Sequence, residues 1–322
     1  MTTPAPTFYA QISANRRASW LLAIAVGGLL AALAGVTGYA LGLGWGGIPL
    51  ALIITALVGV FAYFGGSGMI LGASDAHLID PAKPPEGYEQ LVNVVEEMRL
   101  ASGAPLPRLY VIQDTAPNAF ATGRDPQHAS LAVTSGLLTK LDREELQGVI
   151  GHEMSHIRNL DTRFMLLIGV MVGAIAIIAD WFLHIARWGG GGKRDSDSGK
   201  GGAALILLVV WLVAILLSLI APLVARLVLL AASRRRESLA DVSGVELTRN
   251  PMGLAHALRK IADDPEVLEA ANHGTQHLFV VNPVKTFEER ASSMYDTHPP
   301  IGERIRLLES MAGATAESPS TV

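Results

Sequence analysis

Between Arg17 and Asp75 the chain runs for 57 residues, 18–74, without a formal charge. A helix satisfies its own backbone N–H and C=O groups, so about 20 apolar residues in that form can cross a bilayer. The stretch is long enough for two crossings and a turn. Glycines and Trp45 interrupt the run at Gly42–Gly47, which places the spans at Trp20–Leu41 and Ile48–Ile70. A secretory signal would be shorter and would end in a cleavage site. The reading is an N-terminal tail (1–17) followed by a transmembrane helical hairpin (18–74).

Composition agrees. Half of the 322 residues are hydrophobic and only 17% are charged, against about 25% charged in an average soluble domain. The net charge of −4 argues against a nucleic-acid partner, whose binders are usually basic. With no cysteine, disulfides, iron–sulfur clusters and thiolate zinc sites are excluded. Two further apolar runs, Phe164–Ala179 and Gly201–Ala225, flank a Gly/Ser/Lys/Asp-rich flexible loop at 189–202. Together they make a region 164–226 of two helices. They either cross the membrane or stay half-buried, and Asp180 and His184 weaken the first of them as a span.

The polar remainder falls in two parts, 75–163 and 227–311. Pro81–Pro85 reads as a linker. Leu91, Val94, Val95 and Met98 recur at helical spacing over Gly87–Ala101. Leu109–Ile112 and Ser130–Thr134 are short β-prone runs, and the composition of Gln113–Gln127 between them is loop-like. Asn250–Asp264 and Ile301–Met311 read as helices, and the Ala/Ser/Thr/Pro-rich 312–322 as a disordered tail.

Asp142-Arg-Glu-Glu145 opens a helix with an N-cap and a Glu at N3. That helix carries His152-Glu153-Met154-Ser155-His156. Two histidines at i and i+4 share one face and can bind one Zn²⁺, and the Glu beside the first ligand can act as general base on the attacking water. A catalytic zinc wants three protein ligands and one open position. The metzincin extension is excluded because Asn159 and Thr162 stand where Gly and His would be needed. Without cysteine the third ligand is His, Asp or Glu, and the best candidate is Glu237, which follows an apolar helix. Asp241, four residues on and on the same face, can hydrogen-bond a ligand histidine and fix its tautomer. The remaining histidines have no competing ligand spacing.

His152-Glu-Met-Ser-His156 with Asn159 and Asp161, then Ser233-Arg-Arg-Arg-Glu237-Ser-Leu-Ala-Asp241, then Thr297-His-Pro-Pro300, resemble the membrane-bound zinc metalloproteases of the HtpX type. These belong to peptidase family M48, with the Ste24 and Oma1 proteases as relatives. Asn118-Ala-Phe-Ala-Thr-Gly123 matches a further family pattern. Ser238 departs from it, since the family usually has an aromatic there. The resemblance covers about 75–310 plus the N-terminal spans.

The resemblance implies an α+β, zincin-like (gluzincin) fold, mainly helical with a small sheet and transmembrane helices. It implies one Zn²⁺ per chain, with Glu237 as third ligand and Asn159 beside Asp241 in the shell around the ligands. It implies that His298 and Arg304 stabilise the oxyanion or organise the site. Asn118, Ala119 and Phe120 would form an edge strand that pairs with an extended substrate, a recognised route to binding unstructured chain. The implied partners are unfolded or damaged membrane proteins and the lipid bilayer. Oligomeric state is left open.

His156 and Glu237 must meet at one metal, so any crossings between them are even in number. Arg16 and Arg17 precede the first span and place the tail and the catalytic domain in the cytoplasm. Lys193, Arg194 and Lys200 in the 189–202 loop run against that orientation. The expected protein is a multi-pass cell-membrane zinc endopeptidase serving quality control. The alternatives are a site-specific Ste24-like processing peptidase and a non-catalytic zinc-binding scaffold, which the intact Glu153 counts against.

Overall fold

The first helix whose course is described, α1 (Gly47–Ala73), has 27 residues and no charged side chain in either end turn. Leu52, Ile53, Leu57, Val60, Phe61 and Phe64 are all exposed on it. By length and composition Ala56–Ala73 is apolar enough to cross a membrane, and most of that window is unburied. In a computed structural model of the protein, residues 47–167, 234–266 and 299–316 are described, with single positions at 13, 17, 20, 21, 24, 27, 28, 31, 208, 209, 212, 213, 216, 220, 268 and 279. The course of the expected Trp20–Leu41 span, of the 189–202 loop and of residues 317–322 lies outside them. The chain divides into two units, one of 17–64 with 167–228, the other of 1–16, 65–166 and 229–322.

The second unit holds the remaining elements. They are β1 (Ala76–Ile79), α2 (Glu89–Ser102), β2 (Arg108–Ile112), β3 (Ala119–Gly123), β4 (Ala129–Thr134), α3 (Ser135–Lys140), α4 (Arg143–Arg158), α5 (Arg234–Thr248), α6 (Pro251–Asp263) and α7 (Ile301–Ala316). The fold is mostly helical with one small mixed sheet of order β1-β2-β4-β3. β1 runs antiparallel to β2, β2 parallel to β4, and β3 antiparallel to β4 with Ala121 opposite Leu131. Among the described strands β3 therefore stands at the edge of the sheet. One sheet face, Ile79, Leu109, Val111, Ala121, Leu131 and Val133, packs into the core.

α2, α4 and α6 close that core with their apolar stripes, among them Leu91, Val94 and Val95, then Leu146, Val149 and Ile150, then Leu254 and Leu258. Each such side chain contributes about 1.5–3 kcal/mol on burial. α4 starts at a complete capping box: Asp142 accepts from the Glu144 and Glu145 N–H groups, and Glu145 accepts from the Asp142 N–H. Lys260 of α6 donates to the same Glu145 carboxylate at 2.6 Å. Helix α4 also meets its neighbours backbone to backbone. A Cβ on Gly148 would lie 2.5 Å from the Leu254 nitrogen of α6, and one on Gly244 of α5 would lie 3.0 Å from the His152 nitrogen. That second approach presses α5 against the HExxH turn.

Four elements depart from the composition-based expectation. β3 lies inside the loop-like 113–127 stretch, because pairing with β4 and burial override its weak local signal. β1 and α3 are too short, at four and six residues, to show a period. α7 runs to Ala316, past the expected boundary at 311, because its last turn is rich in alanine, the best helix former.

Candidate active site

His152 and His156 sit one turn apart on α4, and both rings turn their Nε2 atoms to the same point, 3.1 Å from each other. Each Nδ1 faces a carboxylate, Asp241 at 2.9 Å for His152 and Asp161 at 3.0 Å for His156. A carboxylate only accepts, so both Nδ1 atoms donate, and both Nε2 lone pairs are left for a metal. Glu237 of α5 brings Oε2 to 3.5 Å from His152 Nε2 and Oε1 to 3.5 Å from His156 Nε2. The three donors all lie within 4.8 Å of one another. Ligands about 2.0–2.1 Å from a tetrahedral zinc stand about 3.3 Å apart. The donor set therefore fits such an ion in kind and in spacing.

The turn after α4 delivers Asp161. Asn159 caps the helix with its N–H on the Ser155 carbonyl, and Leu160 then takes φ 60. A non-glycine residue in the left-handed region is costly, on the order of 1–3 kcal/mol. The reversal it produces returns Asp161 to His156. Asn159 is buried at this corner and the structure gives it the capping position; the contact on the ligand is made by Asp161.

Arg304 of α7 is buried. Its Nε donates to Asp241 Oδ2 at 2.9 Å and its Nη2 to Oδ1 at 2.7 Å. Nη1 lies 4.0 Å from Glu237 Oε2, and Nη2 lies 3.5 Å from both ring nitrogens of His152. The guanidinium is thus directed at the groups that hold His152. His298, expected to act with it, lies outside the described residues.

These neighbours set the charges. Burial works against a protonated His152, but the hydrogen bonds to Asp241 and Glu237 outweigh it and push it up to about 9. Burial alone would raise Asp241, yet Arg304 and His152 bring it down to about 2. Burial raises Glu153, the residue between the histidines, above the usual carboxylate range. The Ala121 N–H of β3 donates to its carboxylate.

The expected substrate strand is placed in part. Asn118 precedes β3; its N–H donates to Thr134 Oγ1 at 2.9 Å, and its side-chain Oδ1 accepts from the Ala119 N–H at 3.0 Å. Phe120 is buried edge-to-face against Phe279, ring centroids 4.9 Å apart. Since the Thr134 N–H donates to the Asn118 carbonyl, residues 118, 120 and 122 turn their main-chain groups inward to β4. Ala119 and Ala121 turn theirs to the side away from β4, where Glu153 lies.

Sequence reading missed the Asp161 contact, although Asp161 stands five residues after His156. It also passed over Arg236, whose guanidinium carbon lies 4.0 Å from the Phe164 ring centroid. Nothing in its local spacing marks it.

The family profile described as Peptidase family M48 matches residues 85–312. A "Protease HtpX homolog" of Caldanaerobacter subterraneus subsp. tengcongensis is 42% identical over 269 residues, 83% of this chain and 86% of that one. Another, of Dictyoglomus turgidum, is 39% identical over 305 residues, 95% of each chain. The crystal structure of S. mikatae Ste24p aligns with a TM-score of 0.49 at 16% identity, over 93% of this chain and 66% of that one. Identity of this order over nearly full-length proteases, joined to a family match that spans the whole site, means that the chain belongs to peptidase family M48 and is a metalloprotease of the HtpX type.

Proposed function

We propose that the protein is a membrane-anchored zinc endopeptidase of gluzincin type that cuts unfolded or damaged membrane proteins on their cytoplasmic segments. The observation that carries the chemistry is the convergence of His152, His156 and Glu237 on one point, with Glu153 buried beside it. Those three residues would hold Zn²⁺, which supplies the Lewis acidity that makes water nucleophilic near neutral pH. Glu153 takes the proton from the attacking water and delivers it to the leaving amide nitrogen. Asp241 and Asp161 keep the two imidazoles oriented, with Asn159 shaping the turn. Arg304 holds Asp241, which favours organising the site over contacting substrate. Charge developing on the scissile carbonyl is then left to His298, by family likeness.

Substrate lies along β3, its N–H groups donating to the outward carbonyls of Ala119 and Ala121, whose own N–H groups donate to Asn118 Oδ1 and Glu153. Recognition through main chain suits unfolded chain of many sequences. Anchoring rests on α1, whose exposed apolar surface is long enough to cross a bilayer. We assign the layout 1–17 tail, 18–74 hairpin, 164–226 further helices and a divided catalytic domain at 75–163 and 227–311, facing the cytoplasm.

The test is cleavage of casein by the detergent-solubilised chain with added zinc, beside Glu153→Gln. Many diffuse cuts by the native chain, and none by the variant, are expected. Cleavage by Glu153→Gln at the native rate would overturn the assignment of the base. A single sharp cut would favour site-specific processing.

A further inference from the structure

The β3–β4 hairpin is fastened from within at both ends. At the first, the Asn118 N–H donates to Thr134 Oγ1 and the Thr134 N–H to the Asn118 carbonyl. At the second, Gly123 pairs with Ala129, and Asp125 accepts from the His128 N–H at 2.8 Å. A Cβ on Gly123 would stand 2.6 Å from the His128 carbonyl oxygen, so the chain doubles back closely there. These contacts hold β3 to β4. A contact from outside the hairpin holds its second end to the active-site turn: Arg163 Nε donates at 2.7 Å to the carbonyl of Arg124, the first residue after β3.

Arg163 stands in the turn that follows α4, two residues after Asp161. Leu160, with φ 60, makes the reversal that brings Asp161 under His156. The same turn carries Arg163 to the end of β3. A positive charge ahead of the apolar run 164–179 would serve membrane orientation equally well from water. Arg163 is instead half-buried and bonded to main chain, and a hydrogen bond from an ionised donor is among the strong ones. An edge strand has a neighbour on one side only. If it is to present carbonyls to a substrate chain, they must keep a fixed distance from the reacting centre, because a shift of about 1 Å can cost on the order of 100-fold in rate.

We propose that Arg163 is a positioning residue for substrate binding. Through the Arg124 carbonyl it seats the second end of β3 against the turn that carries Asp161, so that the outward carbonyls of Ala119 and Ala121 keep their place beside Glu153. The inference rests on the reading of β3 as the substrate strand. One turn then serves both sides of the reaction: Asp161 orients a metal ligand, and Arg163 seats the strand that receives the substrate chain.

The experiment is steady-state cleavage of a quenched fluorogenic decapeptide carrying a casein cut site, by the full detergent-solubilised chain loaded with zinc. Arg163→Met removes the donor and is expected to raise KM about tenfold with kcat within about twofold, the pattern of lost uniform binding. Arg163→Gln places an amide nitrogen as many bonds from the backbone as Nε, without the charge, and should bring KM back to within about threefold of native. Zinc affinity, measured by competition with a chromophoric chelator, should stay within about twofold of native in both, since no group around a metal ligand is removed. A native KM in Arg163→Met overturns the proposal. So does an equal KM in Arg163→Met and Arg163→Gln, which would assign the effect to charge, and so does a fall in kcat that tracks lost zinc affinity. If Arg163→Met does not fold, Arg163→Lys, whose nitrogen sits one bond farther out, replaces it: a raised KM at native zinc affinity supports the proposal, and a native KM overturns it. The decapeptide N-methylated at alternate residues, in each of the two registers, tests the strand itself. If neither form binds the native chain more weakly than the parent peptide, the reading of β3 falls; if one does and Arg163→Met keeps the native KM, only the role of Arg163 falls.

Discussion

Replacing Asp241 by Asn tests whether the buried charges of this site hold the fold as well as the ligand. The carboxylate accepts from Arg304 at 2.9 and 2.7 Å and from His152 Nδ1 at 2.9 Å. Asparagine has one acceptor oxygen for these three donors, and its amide would meet a second donor head-on. Arg304, itself buried, would lose the charge that compensates it. Removing one partner of a buried pair costs about 3–5 kcal/mol, because the other is left uncompensated. For a domain of this size each kcal/mol lowers Tm by about 2–4 °C, so a drop of about 6–20 °C is expected. The assay is the melting of metal-stripped, detergent-solubilised chain at neutral pH. A drop below about 2 °C would refute the reasoning, because a buried guanidinium cannot lose its carboxylate so cheaply. A second variant separates stability from positioning. Asp241→Leu with Arg304→Met removes both charges and should recover much of the lost Tm. Zinc affinity should stay about 10–100-fold weaker, because His152 has lost the group that orients it.

Three further outcomes follow from the same geometry. Gly148→Ala drives a Cβ against the Leu254 backbone and should cost about 1–3 kcal/mol in a denaturant melt, whereas Gly302→Ala, whose Cβ would meet Arg306 Nη2 at 3.9 Å, should leave stability unchanged or raise it, since alanine favours the helix; an equal loss in both would refute the close crossing. In the metal-free protein His152 titrates at about 9 against 6.5 for an unfolded chain, so its contribution of about 3 kcal/mol is present in full below pH 6.5 and is lost as pH rises through 9. Tm of stripped protein should fall across that window, and saturating zinc, which replaces the proton, should abolish the fall; a flat profile without metal would contradict it. Chelation should stop cleavage and lower Tm, and zinc at about 100 times its Kd should return about 2.7 kcal/mol, read as the Tm difference between stripped and loaded chain.

What the sequence determined by itself is local. Spacing of four along a helix must bring His152 and His156 to one face, and Asp142 with Glu145 must start that helix, because both follow from 3.6 residues per turn and the unpaired first N–H groups. The uncharged 18–74 stretch likewise limits what can surround it. β1, α3 and β3 escaped because short segments carry no period, and β3 is a strand only by virtue of β4 beside it. Tertiary structure decided which distant residues complete the site. The His152–Asp241 and Asp241–Arg304 contacts rest on α5 and α7 meeting α4, and α5 can come close only where Gly244 leaves room beside the His152 backbone. Asp161 reaches His156 through one left-handed residue, Leu160. Which face a side chain shares within its own helix is a matter of period. Which partner it meets across helices depends on how closely two backbones can pack, and no local pattern of residues records that distance.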